Sequence, residues 1–159
     1  MTQTQSPVVH NTFVIERNYP VTPDRVFAAF ADPAKKRRWY AESDGHDVEE
    51  FHMDFRVGGV ERARYRFKEG TPFKGIALAN EGTFHDIVPD QRIVISSTMS
   101  FGDRRISATL TTFELVPNGT GTDLILTHQG VFFEGSDGPQ RREEGWRKIL
   151  DRLAAALAR

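Results

Sequence analysis

Residues 146–157 read Trp-Arg-Lys-Ile-Leu-Asp-Arg-Leu-Ala-Ala-Ala-Leu, and this stretch decides the fold. Trp146, Ile149, Leu150, Leu153 and Leu157 recur at the spacing of one helix face, while Arg147, Lys148, Asp151 and Arg152 take the other. Ser136 or Asp137 is a candidate cap ahead of it, and Pro139 suits a first turn. So long an apolar stripe needs a large apolar partner, and the chain upstream supplies strands. A helix gripped by a curved sheet leaves a cavity between the two, and function is expected there.

Working outward, residues 1–11 are a polar lead-in, and 12–19 alternates with Phe13, Ile15 and Tyr19 on one side, as a strand does. Thr22 caps a short helix with Pro23 in its first turn and Val26, Phe27 and Phe30 as its stripe. Asp32-Pro33 stops it and begins another, which runs through residues 35–38 to Trp39 and Tyr40. Strands are expected near 75–88, 92–101, 104–116 and 122–132, after Gly70-Thr71-Pro72 and separated by Pro89-Asp90, Gly102-Asp103 and Pro117-Asn118-Gly119. Asn118-Gly119-Thr120 also matches a glycosylation sequon, but its flanks read as a turn. The order is strand, two short helices, six strands, long helix. That is an α+β chain with one domain over 12–159, its antiparallel meander covered by the terminal helix.

The hairpin after the short helices can be read in detail. Phe51, Met53 and Phe55 share one parity, and His46, Glu50, His52 and Asp54 the other. Across the turn, Ala63, Tyr65 and Phe67 oppose Arg62, Arg64 and Arg66. A three-residue loop, Val57-Gly58-Gly59, would pair Asp54 with Arg62, Glu50 with Arg66 and Phe51 with Tyr65, with a glycine in the left-handed region.

The 159 residues suffice for a substantial core, and 38% hydrophobic with 27% charged residues fits a soluble globular chain. Twenty-one basic against 22 acidic side chains gives a net charge of −1, which argues against nucleic-acid binding by bulk electrostatics. The absence of cysteine excludes disulfides, thiolate catalysis and thiolate metal sites. No apolar run is long enough to span a bilayer and the opening residues lack a signal pattern, so a cytoplasmic location is expected.

Arg17, Pro23 with Val26-Phe27, Asp32-Pro33, Trp39 and Phe55-Arg56-Val57-Gly58-Gly59 stand in that order. They are followed by Gly82 ahead of Ile87-Val88-Pro89, Arg92-Ile93-Val94, Gly121-Thr122, Leu124-Ile125-Leu126-Thr127-His128 and Gly145-Trp146. The set resembles the helix-grip fold (START-like, Bet v 1-like). Within it, the set is similar to the family named after the C-terminal domain of the activator of the Hsp90 ATPase. That family often has Trp where this chain has Phe27. The resemblance implies a hydrophobic cavity under the long helix. Most members of this kind have no assigned activity. The namesake co-chaperone also carries a separate Hsp90-binding domain, which these residues do not contain.

Candidate cavity-lining residues are Trp39, Phe55, Tyr65, Met99, His128, Phe132, Trp146 and Leu150. Aromatics would supply contact area, and Tyr65 and His128 orientation. Trp146 equally suits plain packing, and Gly145 inside a helix implies a steric reason such as close approach to the sheet. His85 and Asp86, being adjacent on a strand, cannot form a dyad. His46, Glu50, His52 and Asp54 have metal-ligand chemistry but face Arg62, Arg64 and Arg66, so no metal is expected. The Lys35-Lys36-Arg37-Arg38 run reads as a solvated face of a surface helix. No nucleophile elbow, phosphate loop or dinucleotide fingerprint is present, and no cofactor is expected. Glu81, Asp86 and Glu114 are the candidates for an inward carboxylate.

The expected function is binding of a small hydrophobic or amphipathic, lipid-like ligand in the cavity. The alternatives are a polyketide cyclase/aromatase-like enzyme and a chaperone-linked or stress-response adaptor. Edge strands make a homodimer a further expectation.

Overall fold

The computed structural model describes residues 6–159. Strand β1 (Val9–Tyr19) starts inside the stretch expected as a lead-in, because its first residues pair with the end of the last strand, Val9 opposite Phe132. The first five residues lie outside the described ones. Helix α1 (Pro23–Ala31) follows, with Thr22 at its cap position but making no side-chain capping bond. Asp32 then caps α2 (Pro33–Lys36), its carboxylate accepting from the amides of Ala34 and Lys35. The chain continues into one wide turn, Arg37–Ala41, closed by a bond from the Glu42 N–H to the Arg37 carbonyl. That i→i+5 bond makes it a π-turn, the kind of one-residue insertion that re-aims side chains.

Six strands come next: β2 (His46–Met53), β3 (Val60–Phe67), β4 (Ala77–Val88), β5 (Arg92–Phe101), β6 (Arg104–Asn118) and β7 (Gly121–Phe132). They form one antiparallel sheet in the order β1-β7-β6-β5-β4-β3-β2. The meander expected from the short connections is therefore present, with β1 added beside β7. β6 runs through Pro117 rather than stopping before it. The Leu115 N–H donates to Gln91 just before β5 begins, so Pro117, two residues on, turns its hydrogen-free nitrogen past the end of β5.

The hairpin register differs from the expected one by two residues. Phe51 faces Ala63, Glu50 faces Arg64 and Met53 faces Glu61, joined by a six-residue loop over 54–59. The reason is non-local. Gly58 donates to the Phe84 carbonyl and the Phe84 N–H donates to Gly59, so the loop is held by β4 rather than by a tight turn of its own. Gly58 does occupy the left-handed region, with φ of 83°. A bulge at Glu49 then exchanges the faces within β2. Glu49, not Glu50, pairs with both Arg64 and Arg66, and His46 turns inward, so it shares no face with Glu50 and His52.

Helix α3 (Pro139–Leu157) crosses the concave face with Leu150 and Leu153 fully buried. Burial of each such leucine contributes about 1.5–3 kcal/mol. Its cap position belongs to Gly138, whose φ of 83° favours glycine, and not to Ser136 or Asp137. β1 ties it down: the Tyr19 hydroxyl donates to the Leu150 carbonyl at 3.1 Å and Arg17 meets Asp151 at 2.6 Å. The close backbone neighbours of α3 are the π-turn, β1 and α1. Over the middle strands the helix stands off the sheet. No helix among the described residues is long and apolar enough to cross a membrane.

Candidate functional site

The gap under α3 follows from one row of the sheet. Gly130, Thr109, Ser97 and Gly82 are cross-strand neighbours on β7, β6, β5 and β4, and none carries a side chain larger than threonine. Close approach requires glycine at 82 and leaves little room for a side chain at 130. A Cβ on Gly82 would lie 2.7 Å from Ser97 Oγ and 2.9 Å from the Ser96 carbonyl oxygen, and one on Gly130 would lie 3.1 to 3.3 Å from Phe132, His128 and Thr109. Small side chains on the floor and a helix held above them leave a void.

That void is a cavity of about 230 Å³. It lies below the roughly 300–1,000 Å³ of typical ligand sites, yet above the roughly 150 Å³ that accommodates benzene in an engineered apolar cavity. Its apolar wall includes Phe67, Leu78, Ile95, Met99, Phe113 and Trp146. Trp146 leans on Tyr40 and Phe113, with ring centroids 5.9 and 5.7 Å away.

Polar groups gather at two ends. At one, Lys36 Nζ donates to Glu61 Oε2 at 2.5 Å, with both side chains at most 6% exposed. The ammonium lies 4.8 Å from the centre of the Tyr40 ring, whose hydroxyl accepts from Asn80 Nδ2 at 2.7 Å. At the other end, Arg142 grips both oxygens of Asp137 at 2.7 and 2.8 Å and donates to Ser107 Oγ at 3.0 Å. Burial alone would push the Asp137 carboxyl up, but its bonds and charge contact with Arg142 outweigh this and hold it low. Ser107 and Asn80, one at each end, lie two strands apart on one cross-strand row, with about 10 Å between their backbones.

His128 stands beside the Arg142 end, 1% exposed and stacked on Phe13 at 4.4 Å, and its Nδ1 has no hydrogen-bond partner among the described residues. Burial first, and the Arg142 charge second, lower its pKa to about 4. The unfolded chain therefore binds more protons than the folded one between pH 6.5 and about 4. This contribution is complete above pH 6.5 and is lost as the pH falls toward 4. From the size of the shift, His128 should account for about 3 kcal/mol of the stability lost over that interval. Urea titrations at pH 7 and pH 4.5 check this: His128→Phe should show a visibly shallower pH dependence than the unaltered protein.

Of the eight expected lining residues, Tyr65, Met99, His128 and Trp146 border the cavity. The other four stand outside its wall. Trp39 is 1% exposed and donates its indole N–H to the Ala29 carbonyl at 2.9 Å. Phe55 packs between Phe27 and Phe84, Leu150 is in the core under α3, and Phe132 lies beneath the Arg142 guanidinium. The three expected carboxylates point elsewhere. Glu81 and Glu114 are exposed, and Asp86 pairs with Arg92.

The inward carboxylate is Glu61, which shares parity with Ala63 and Tyr65 and could have been found by that alone. Lys36, expected on a solvated face, is 3% exposed, because Asp32 starts α2 so that its last residue points at the sheet. Arg142 sits four residues before Trp146 on the apolar stripe, a position that also marked it as inward.

Gly145 lies on the cavity border, and a Cβ there would meet nothing within 4 Å. The expected steric reason is therefore absent: the missing side chain keeps space open. Gly145→Ala should raise stability by about 0.5–1 kcal/mol through helix propensity, while weakening uptake of any molecule that fills this cavity. Thermal unfolding and ligand titration on the same sample would register these opposite signs.

The family model described as Activator of Hsp90 ATPase homolog 1-like protein matches residues 20–158. A crystallised protein from Rhizobium loti is 52% identical, over 94% of this chain and 98% of its own, with a TM-score of 0.83. A Rhizobium leguminosarum protein is 34% identical over 95% and 96%, with a TM-score of 0.88. The AHSA1 protein from Silicibacter pomeroyi is 28% identical over 93% and 98%, with a TM-score of 0.72. No curated protein matches this chain.

Proposed function

The chain belongs to the Activator of Hsp90 ATPase homolog 1-like family, and from that premise we propose that it binds a small, largely apolar molecule between the sheet and α3. One observation carries this reading: a mostly apolar cavity of about 230 Å³ under α3, bordered by the buried His128 ring. The size favours one or two fused rings or a short branched chain over a long acyl tail. Aromatic walls would give contact area, and His128 a single directional bond.

Native mass spectrometry of freshly purified protein, followed by denaturing analysis of whatever is released, tests it directly. Quenching of Trp146 fluorescence by mono- and bicyclic aromatic probes gives an affinity. Ser97→Leu, which builds a larger side chain up from the floor, should abolish that quenching at a stability cost of about 1–3 kcal/mol. Equal binding by this variant would place the probes elsewhere and sink the reading.

A further inference from the structure

We propose that Lys36 and Glu61 form an acid–base pair that interconverts the keto and enol forms of a small cyclic ketone held in the cavity. The inference rests on the binding reading above and adds an activity to it. Its ground is the incomplete satisfaction of the pair. An ammonium has three donors, and among the described residues Lys36 spends one of them, on Glu61 Oε2 at 2.5 Å. Glu61 Oε1 takes no bond from those residues and keeps accessible surface, so a molecule in the cavity can reach it. A buried ion pair offsets its desolvation only when further hydrogen bonds satisfy the remaining protons and lone pairs. Among the described residues the protein supplies none to Oε1 or to two of the ammonium protons, and both residues border the cavity.

The pair therefore offers a ligand one cationic donor and one anionic acceptor side by side. A ketone fits that combination, with its oxygen on the ammonium and an adjacent C–H against the free carboxylate oxygen. Ile95 and Ser97, on the strand beyond Gly82, border the cavity on the side of the pair and give the ring a small, mostly apolar seat. Tyr40 and Phe84, whose rings lie 4.8 and 5.7 Å from Nζ, limit water around the charge and strengthen its field.

The step balances without a co-reactant. The C–H bond next to the carbonyl breaks, and its proton goes to Glu61 Oε1. The electron pair forms the C=C bond, and the carbonyl π-electrons move to oxygen, which takes a proton from Lys36. The neutral pair then holds an enol. Return of a proton from Glu61 to carbon and from the enol oxygen to Lys36 restores the starting state. A carboxyl proton exchanged with solvent in between labels the carbon.

The test is proton NMR of 2-indanone and 2-tetralone in D2O with the full chain, read as loss of the signals next to the carbonyl. Binding is measured in parallel from the Met99 methyl and Trp146 indole shifts. The intact protein should speed exchange by roughly 100-fold over buffer, the lower range for a positioned acid or base. Because a single substitution strands a buried charge, the decisive variant is Lys36→Met/Glu61→Leu, which removes both. It should fold, take up the ketones more weakly, and exchange them at the buffer rate even at concentrations where the Met99 and Trp146 shifts show them bound. Glu61→Asp should retain part of the acceleration. Ketones that bind without faster exchange, or exchange that persists in the double variant, overturn the proposal and leave the binding reading standing. Absence of any binding of either ketone overturns both.

Discussion

Lys36→Met should lower the unfolding free energy by about 3–5 kcal/mol, the usual cost of removing one member of a buried ion pair. Glu61 would be left 5% exposed with its one recorded ion-pair partner gone. Total stability for a domain is about 5–15 kcal/mol, so one methionine would remove a large share of it. For a chain of this size that corresponds to a fall in melting temperature of roughly 10 °C. Lys36→Met/Glu61→Leu should recover most of the loss, since apolar replacement of a whole buried pair is often neutral or stabilising. Chemical denaturation of the two single variants and the double gives the coupling energy directly. Additive losses would mean that the two charges do not depend on each other.

Trp39→Ala is the second large effect, at about 3–5 kcal/mol from lost packing. Its indole fills the space between Phe30 and Tyr40, with ring centroids 4.8 and 6.0 Å away, and its N–H satisfies the Ala29 carbonyl near the end of α1. Arg152 on α3 donates to the Trp39 carbonyl at 3.1 Å, so the π-turn is tied to both α1 and α3 through this one residue. Trp39→Phe keeps most of the volume and should cost about 1–3 kcal/mol for the orphaned carbonyl. A lower urea midpoint at unchanged m-value would identify both losses as stability alone. Trp39→Phe should also leave probe affinity where it was, since the indole stands outside the cavity wall.

How much of this could be read in the residues depends on the range of the interaction that fixes each part. Helix α3 and strands β4 to β7 declare themselves through periodicities of a few residues, and their limits agree with the expected ones to within a few positions. The β2–β3 register does not, because it is fixed by Gly58 and Gly59 pairing with Phe84, some 25 residues downstream. A local rule that matched Glu50 to Arg66 had no access to that contact. Lys36 is the same case at the site. In a run of four basic residues nothing distinguishes it from Lys35, and its partner Glu61 lies on another element, next to Arg62. His128 was legible because its strand alternates without interruption from Leu124 onward. His46 was not, because the bulge at Glu49 changes which side of β2 faces in.

The pairing of the first strand with the last has a cost in time. Tyr19 sits opposite Thr122, so β1 has no neighbour in the sheet until about a hundred further residues exist. At typical synthesis rates of about 5–20 residues per second, the growing chain carries β1 as an open edge for roughly 5–20 s. β2 through β6 can meanwhile add one hairpin at a time, each closing onto the strand just made. The first strand made is thus the last to be placed, and α3 can be locked down only after it, through Tyr19 and Arg17. In the newborn chain the roof of the cavity is the final part to close.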